Sequence, residues 1–252
     1  MNELMHSVAE LGNIVTVWAH PDDETYLAVG VMSVATHLGA GVTCVTATAG
    51  DFADTEAERR ILATRRRAEL ASALAVLGVT DHVELGMRDG ACATVDDNEP
   101  IERIAAVIAD RCPDTIITFG PDGLTGHADH RAVSRWTMDA VRRSGSSACV
   151  LHTAITDEIL AGDSDVNDRF HVYEPGFPTV HCRDQLALDL TIDGSWLARK
   201  LRALRCHASQ TTGIIEAIGA DRYRRWITPE LFVVAEQADV STTPNRERGV
   251  HD

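Results

Sequence analysis

Short apolar runs alternate with longer amphipathic stretches along the first 156 residues. "NIVTVWA" (13–19), "GVTCVTATAG" (41–50), "HVELG" (82–86), "DTIITFG" (114–120) and "CVLHTAIT" (149–156) are predicted strands. Between them, the spacing predicts helices from Glu24 to Leu38, over 56–77, from Pro100 to Arg111 and from Asp129 to Arg143. In the second helix Leu62, Leu70, Leu74 and Leu77 keep helical spacing, and Gly78 supplies the stop. In the third, Ile101, Ile104, Val107 and Ile108 share a face. Strands that alternate with helices imply right-handed crossovers and a mainly parallel sheet. Ligands of such sheets bind beyond the carboxyl ends of the strands.

The pattern loosens after residue 157. Residues 157–190 are rich in turn formers, and a loop or β excursion over the active rim is expected there. "DLTID" (189–193) and "ELFVVAE" (230–236) read as strands, and "GSWLARKLRALRCHA" (194–208) and "IIEAIGADRYRRW" (214–226) as helices. The polar stretch from Ala238 onward is expected to be a disordered tail. The organisation expected is therefore one domain over 1–237, followed by the tail, 238–252.

Composition narrows the function classes. The 252 residues are 44% hydrophobic, enough for one α/β domain with a sizeable core. A net charge of −15 argues against a nucleic-acid partner and against docking on anionic lipid. The first residues carry no basic, apolar leader pattern, and no run of about 18 apolar residues exists to cross a membrane, so a cytoplasmic protein is expected. The six cysteines form no C-x-x-C pair and read as reduced thiols. Lys200 is the only lysine.

The candidate chemistry lies at two strand ends. "AHPDDE" (19–24) follows the first strand and crowds an imidazole with three carboxylates, which is costly to bury without compensation. "GHADH" (126–130) follows the fourth predicted strand. His20 and Asp23, with His127 or His130, supply two imidazoles and one carboxylate. That set suits Zn²⁺ with an open coordination position, and Fe²⁺ accepts the same donors. Asp22 is then a natural general base. The histidine left over can act as acid or oxyanion donor, and Asp129 can orient an imidazole through its second nitrogen. Glu24 starts the helix and favours its N-terminus, with a role behind the metal ligands as a further option.

Together these motifs closely resemble the LmbE-like N-acetylglucosaminyl deacetylases, the PIG-L family. The similarity extends through "RRAELASALAVLG" (66–78), "GMRDG" (86–90), "TFGPDGLTGHADHRAV" (118–133) and "KLRALRCHASQ" (200–210). The resemblance implies a Rossmann-like α/β three-layer sandwich and a zinc hydrolase acting on an N-acetylamino sugar or a related amide. It implies His20, Asp23 and His130 as metal ligands, Asp22 as the base, His127 as the oxyanion and leaving-group partner, and Asp129 as a carboxylate behind the ligands. Arg66, Asp89, His207 and Gln210 match positions that contact substrate or lie near the site. The family includes monomers and homo-oligomers. Many relatives carry a glycine pair where "TYLAVG" (25–30) has Val29, and 157–190 matches nothing in the family, which leaves the substrate open.

Two other readings compete. An amidase acting on a larger sugar-amide or thiol conjugate would use the same core. A nucleotide-binding module is disfavoured, because the first turn lacks G-x-G-x-x-G and presents carboxylates to a pyrophosphate.

Overall fold

A computed structural model of the chain describes residues 3–236. The expected tail, 238–252, lies outside the described residues. Seven strands form one sheet: β1 (Ile14–Trp18), β2 (Val42–Thr48), β3 (Asp81–Met87), β4 (Thr115–Thr118), β5 (Cys149–Ala154), β6 (Leu188–Thr191) and β7 (Pro229–Val234). Their order is β3-β2-β1-β4-β5-β7-β6. The first five are parallel, while β7 runs antiparallel to both β5 and β6. Every residue of β1 and β2 is buried, as expected for strands covered on both faces.

Eleven helices accompany the sheet among the described residues. They are α1 (Glu3–Ala9), α2 (Asp23–Leu27), α3 (Val29–His37), α4 (Glu56–Leu77), α5 (Asn98–Arg111), α6 (Ala128–Ser144), α7 (Asp157–Gly162), α8 (Ser164–Phe170), α9 (Gly194–Cys206), α10 (Ala208–Ile218) and α11 (Ala220–Trp226). Helices α3, α4 and α9 pack on one another, and α5 packs on α6, giving the helical layers of an α/β sandwich. Strand order reverses between β1 and β4. The carboxyl ends of those two strands open the crevice where such sheets bind ligands.

Helix α4 spans the predicted 56–77. Thr55 and Glu58 form a capping box, and Gly78 closes the helix in the left-handed conformation with φ 79°. Three expectations change. The helix predicted from Glu24 to Leu38 is two helices broken at Ala28, where φ is −142° and ψ 18°. The Glu230 carboxylate accepts the Gly30 amide at 2.9 Å on each oxygen and so caps α3 from a strand 200 residues away. Lys200 Nζ balances that carboxylate at 2.8 Å, with both side chains fully buried. Gly30 is required here, because a Cβ would meet Ile192 Cδ1 at 2.3 Å. Second, the segment expected as a loop or β excursion carries two short helices, α7 and α8; Thr156 caps α7 by accepting the Ile159 amide. Third, the helix predicted over 214–226 breaks at Gly219, whose φ is 80°, into α10 and α11.

Candidate metal centre and substrate cavity

Residues 20–23 and 127–130 meet beyond the ends of β1 and β4. His20 Nδ1 lies 3.2 Å from His130 Nε2, and Asp23 reaches both rings, at 3.6 and 3.5 Å. The other nitrogen of each ring fixes its tautomer. His130 Nδ1 faces the Gly123 carbonyl at 3.0 Å, which can only accept, so Nδ1 carries the hydrogen. His20 Nε2 faces Asp89 at 3.0 Å and Asp129 at 3.3 Å, again acceptors. In the neutral rings, two nitrogen lone pairs therefore point at one another beside a carboxylate. That arrangement calls for a shared cation. A tetrahedral ion with bonds of about 2.0–2.1 Å separates its donors by roughly 3.3 Å, which matches the three distances.

Electrostatics agree with the donor geometry. Burial pushes the His130 imidazole down to about 4, which leaves it neutral. Burial also acts to lower His20, yet hydrogen bonds to Asp129, Asp23 and Asp89 raise it well above the ordinary imidazole range. The carboxylates thus favour positive charge at this point. Burial opposes ionisation of Asp23, but His130 and His20 hold its carboxyl well below the usual range. A second set, His20, His127 and Asp129, also lies close enough to share an ion. Its donors are already engaged: Asp129 accepts from the Gly90 and Cys92 amides at 2.7 and 3.0 Å, and His127 Nδ1 accepts the Asp129 amide at 3.1 Å. The His20–Asp23–His130 set keeps both facing ring nitrogens for an ion, while Asp23 Oδ2 also accepts the His20 amide at 2.8 Å. Asp129 and Asp89 lie behind it as partners of His20, the kind of outer contact that orients ligands.

Asp22 stands beside this set under strain. Its φ of 115° is one that a non-glycine residue rarely adopts and costs of order 1–3 kcal/mol. The surroundings hold it there. Its amide donates to Glu24 Oε2 at 3.0 Å, and Glu24 Oε1 pairs with His207 Nε2 at 3.0 Å. Arg66 donates to Asp22 at 3.2 Å and also to the Pro21 and Gly50 carbonyls. Gly50 permits this approach, since a Cβ would lie 2.3 Å from the guanidinium. Burial pushes the Asp22 carboxyl up to about 7 against the pull of Arg66, with Asp23 and Glu24 adding to the rise.

A cavity of about 590 Å³ opens over the centre. Asp22, Arg66, Asp89, His127 and Gln210 line it together with the three donors. His207 does not: it is fully buried, and its match to a substrate-contact position is corrected to a support for Glu24. Glu24, expected at a helix start with a role behind the metal ligands as a further option, is a fully buried partner of that histidine. The sequence reading also missed Phe52, which lines the mouth at 75% exposure, and the apolar wall formed by Tyr26, Ile155, Ile159, Ile214 and Trp226. An aromatic residue in the polar stretch "DFADTEAE" is the one local signal that could have found Phe52.

A parallel sheet with paired histidines and carboxylates at its switch point defines an α/β protein with a candidate metal site. Residues 15–141 match the family GlcNAc-PI de-N-acetylase, PIG-L, and the chain belongs to that family. It is 32% identical to the 1D-myo-inositol 2-acetamido-2-deoxy-alpha-D-glucopyranoside deacetylase of Actinosynnema mirum, covering 83% of this chain and 84% of that protein. It is 30% identical to a Bacillus cereus protein named "Probable N-acetyl-alpha-D-glucosaminyl L-malate deacetylase 2", covering 81% and 86%. The fold matches the N,N'-diacetylchitobiose deacetylase of Pyrococcus horikoshii with a TM-score of 0.64 at 19% identity, over 92% of this chain and 87% of that one. No helix among the described residues is long and apolar enough to cross a membrane.

Proposed function

We propose that the chain is a metal-dependent N-deacetylase that hydrolyses the acetamide of an N-acetylamino sugar or its glycoside. The convergence of His20, Asp23 and His130, with Asp22 adjacent and uncommitted to the donor set, is the observation that carries this reading. Zinc is the metal we assign, on two imidazoles and one carboxylate; Fe²⁺ is the alternative that the same donors accept. A bound zinc ion would polarise the acetamide carbonyl and acidify a water.

The chain's own residues do the rest. Asp22 accepts the proton of the attacking water, and the strained turn with Arg66 and Glu24 fixes its carboxylate for that task. His127 has its Nδ1 occupied by the Asp129 amide, so in the neutral ring Nε2 carries the hydrogen and can donate to the developing oxyanion. The C–N bond then breaks. The nitrogen takes the proton that Asp22 received from the water, and acetate and a free amine leave. Arg66 acts through Asp22 and Asp89 through His20, which makes both positioning residues, while Gln210 faces the substrate cavity. A cytoplasmic location is consistent with six unpaired cysteines.

Amine release from N-acetylglucosamine and its simple glycosides by zinc-loaded protein tests the reading, with Asp22→Ala as control. Release by the wild type and not by the variant is expected. Absence of release from every acetamido sugar, with one zinc bound per chain, would overturn it in favour of a larger amide conjugate.

A further inference from the structure

The cavity has two unlike ends. The metal centre closes one. The other is walled by Tyr26, Ile159, Ile214, Trp226 and Leu231, contributed by α2, α7, α10, α11 and β7. The Tyr26 and Trp226 rings pack tilted at 51° with centroids 5.5 Å apart, and the Tyr26 hydroxyl accepts a hydrogen bond from the Tyr223 hydroxyl at 3.1 Å. This wall is built in advance from side chains that hold one another. The volume of about 590 Å³ lies within the range of roughly 300–1,000 Å³ typical of drug-sized ligands. A monosaccharide at the metal would leave the apolar end unfilled.

Charge narrows the occupant further. Arg66 is the only arginine or lysine lining the cavity among the described residues, and Asp22 and the Pro21 and Gly50 carbonyls already engage it. Two acidic residues also line the cavity, Asp163 and Glu230, and the Glu230 side chain is fully buried against α3. Arg222 pairs with the first at 3.0 Å and Lys200 with the second at 2.8 Å. A malate or phosphate group would find no unpaired cation there. The named relatives share the acetyl group and differ in what the amino sugar carries, inositol in one and malate in the other.

We infer that the natural substrate carries an apolar, uncharged aglycone on its N-acetylamino sugar, and that Tyr26, Ile159, Ile214 and Trp226 select it. This rests on the deacetylase reading above and specifies its substrate class. Discrimination by such a wall amounts to about fourfold per buried methylene.

The test compares methyl, hexyl and malyl glycosides of N-acetylglucosamine as substrates of the zinc-loaded enzyme. Alongside, calorimetry measures binding of methyl and hexyl glucosaminides, the product form, which is not turned over. The hexyl compound is expected to exceed the methyl one at least tenfold in kcat/KM and in affinity, with the malyl glycoside the poorest substrate. Ile214→Arg should reduce the hexyl-to-methyl ratio and raise the malyl rate. Ile159→Asn, on a different helix, should reduce the same ratio if the first variant does not fold. Equal values for hexyl and methyl glycosides, with acetate still released, would overturn the apolar aglycone and leave deacetylation standing. Tighter hexyl binding with no acetate release from any glycoside would overturn the deacetylase reading and retain the apolar site.

Discussion

The two ends of the cavity are made differently. The metal end comes from two short segments, 20–23 and 127–130, each following a strand of the parallel sheet. It is dense in charge, its carboxylates are hydrogen-bonded, and it holds Asp22 at φ 115°. The apolar end collects one or two side chains from each of five elements, most of them after β5. The two acidic residues that also line the cavity, Asp163 and Glu230, are both paired. The difference separates two tasks. Chemistry needs fixed geometry and lies at the ends of strands in the buried, parallel part of the sheet. Selection of a substrate needs a shaped surface, which the less regular half of the chain supplies without disturbing the centre.

Removing a donor breaks the metal end most completely. Asp23→Ala should lose stoichiometric zinc, and acetate release should fall to background; metal analysis with an acetate assay checks both. Retention of one zinc per chain would shift the ligand set toward His20, His127 and Asp129. Chelation of the wild type should mimic the variant and be reversed by added zinc. Asp22→Asn is the next largest change. It should lower kcat by about 10²–10⁴-fold while zinc content and hexyl-to-methyl selectivity stay as they were. Joint loss of zinc and activity would make Asp22 a ligand and dissolve the division between the two ends.

The metal end was the more legible in sequence, for a physical reason. "AHPDDE" and "GHADH" each place several chemical groups within a few residues, directly after apolar strand patterns. Helix α4 was legible likewise, because Thr55, Glu58 and Gly78 mark its ends locally. What escaped depends on distant partners. Past the break at Ala28, the Gly30 amide in the first turn of α3 is capped by Glu230, 200 residues beyond Gly30. His207 is a helix-end histidine by sequence, and only the fold buries it against Glu24. Asp89 in a "MRDG" turn gives no hint that its acceptor faces His20. The apolar wall has no motif at all, since each element gives it a residue that would pass for ordinary core.

At the apolar end, the Lys200–Glu230 pair is the sensitive point. Glu230→Ala should destabilise by about 3–5 kcal/mol, since it leaves a fully buried ammonium unpaired and uncaps α3. Urea unfolding would measure the loss. Replacing both partners, Lys200→Met with Glu230→Leu, should recover part of it, because no buried charge then remains. A double variant no more stable than Glu230→Ala would mean that the capping of α3, and not the ion pair, dominates.

The smallest effect lies on β5, whose last two residues, Thr153 and Ala154, line the cavity. His152 is buried there with Nε2 unpartnered, and burial pushes its imidazole down to about 4. Asp122 pulls the other way, and His181 adds to the depression. An unfolded histidine titrates near 6.5, so between about 6.5 and 4 the unfolded chain holds a proton that the folded chain does not. Stability from this site is therefore complete above pH 6.5 and declines as the pH falls toward 4. The loss should reach about 1 kcal/mol at pH 5.5. His152→Gln removes the titration, so its stability should fall less than that of the wild type between pH 7 and 5.5, with all other groups shared. Parallel curves would mean that His152 gains a proton partner on folding, most simply the Asp122 carboxylate, and that β5 carries charge where its burial argues against it.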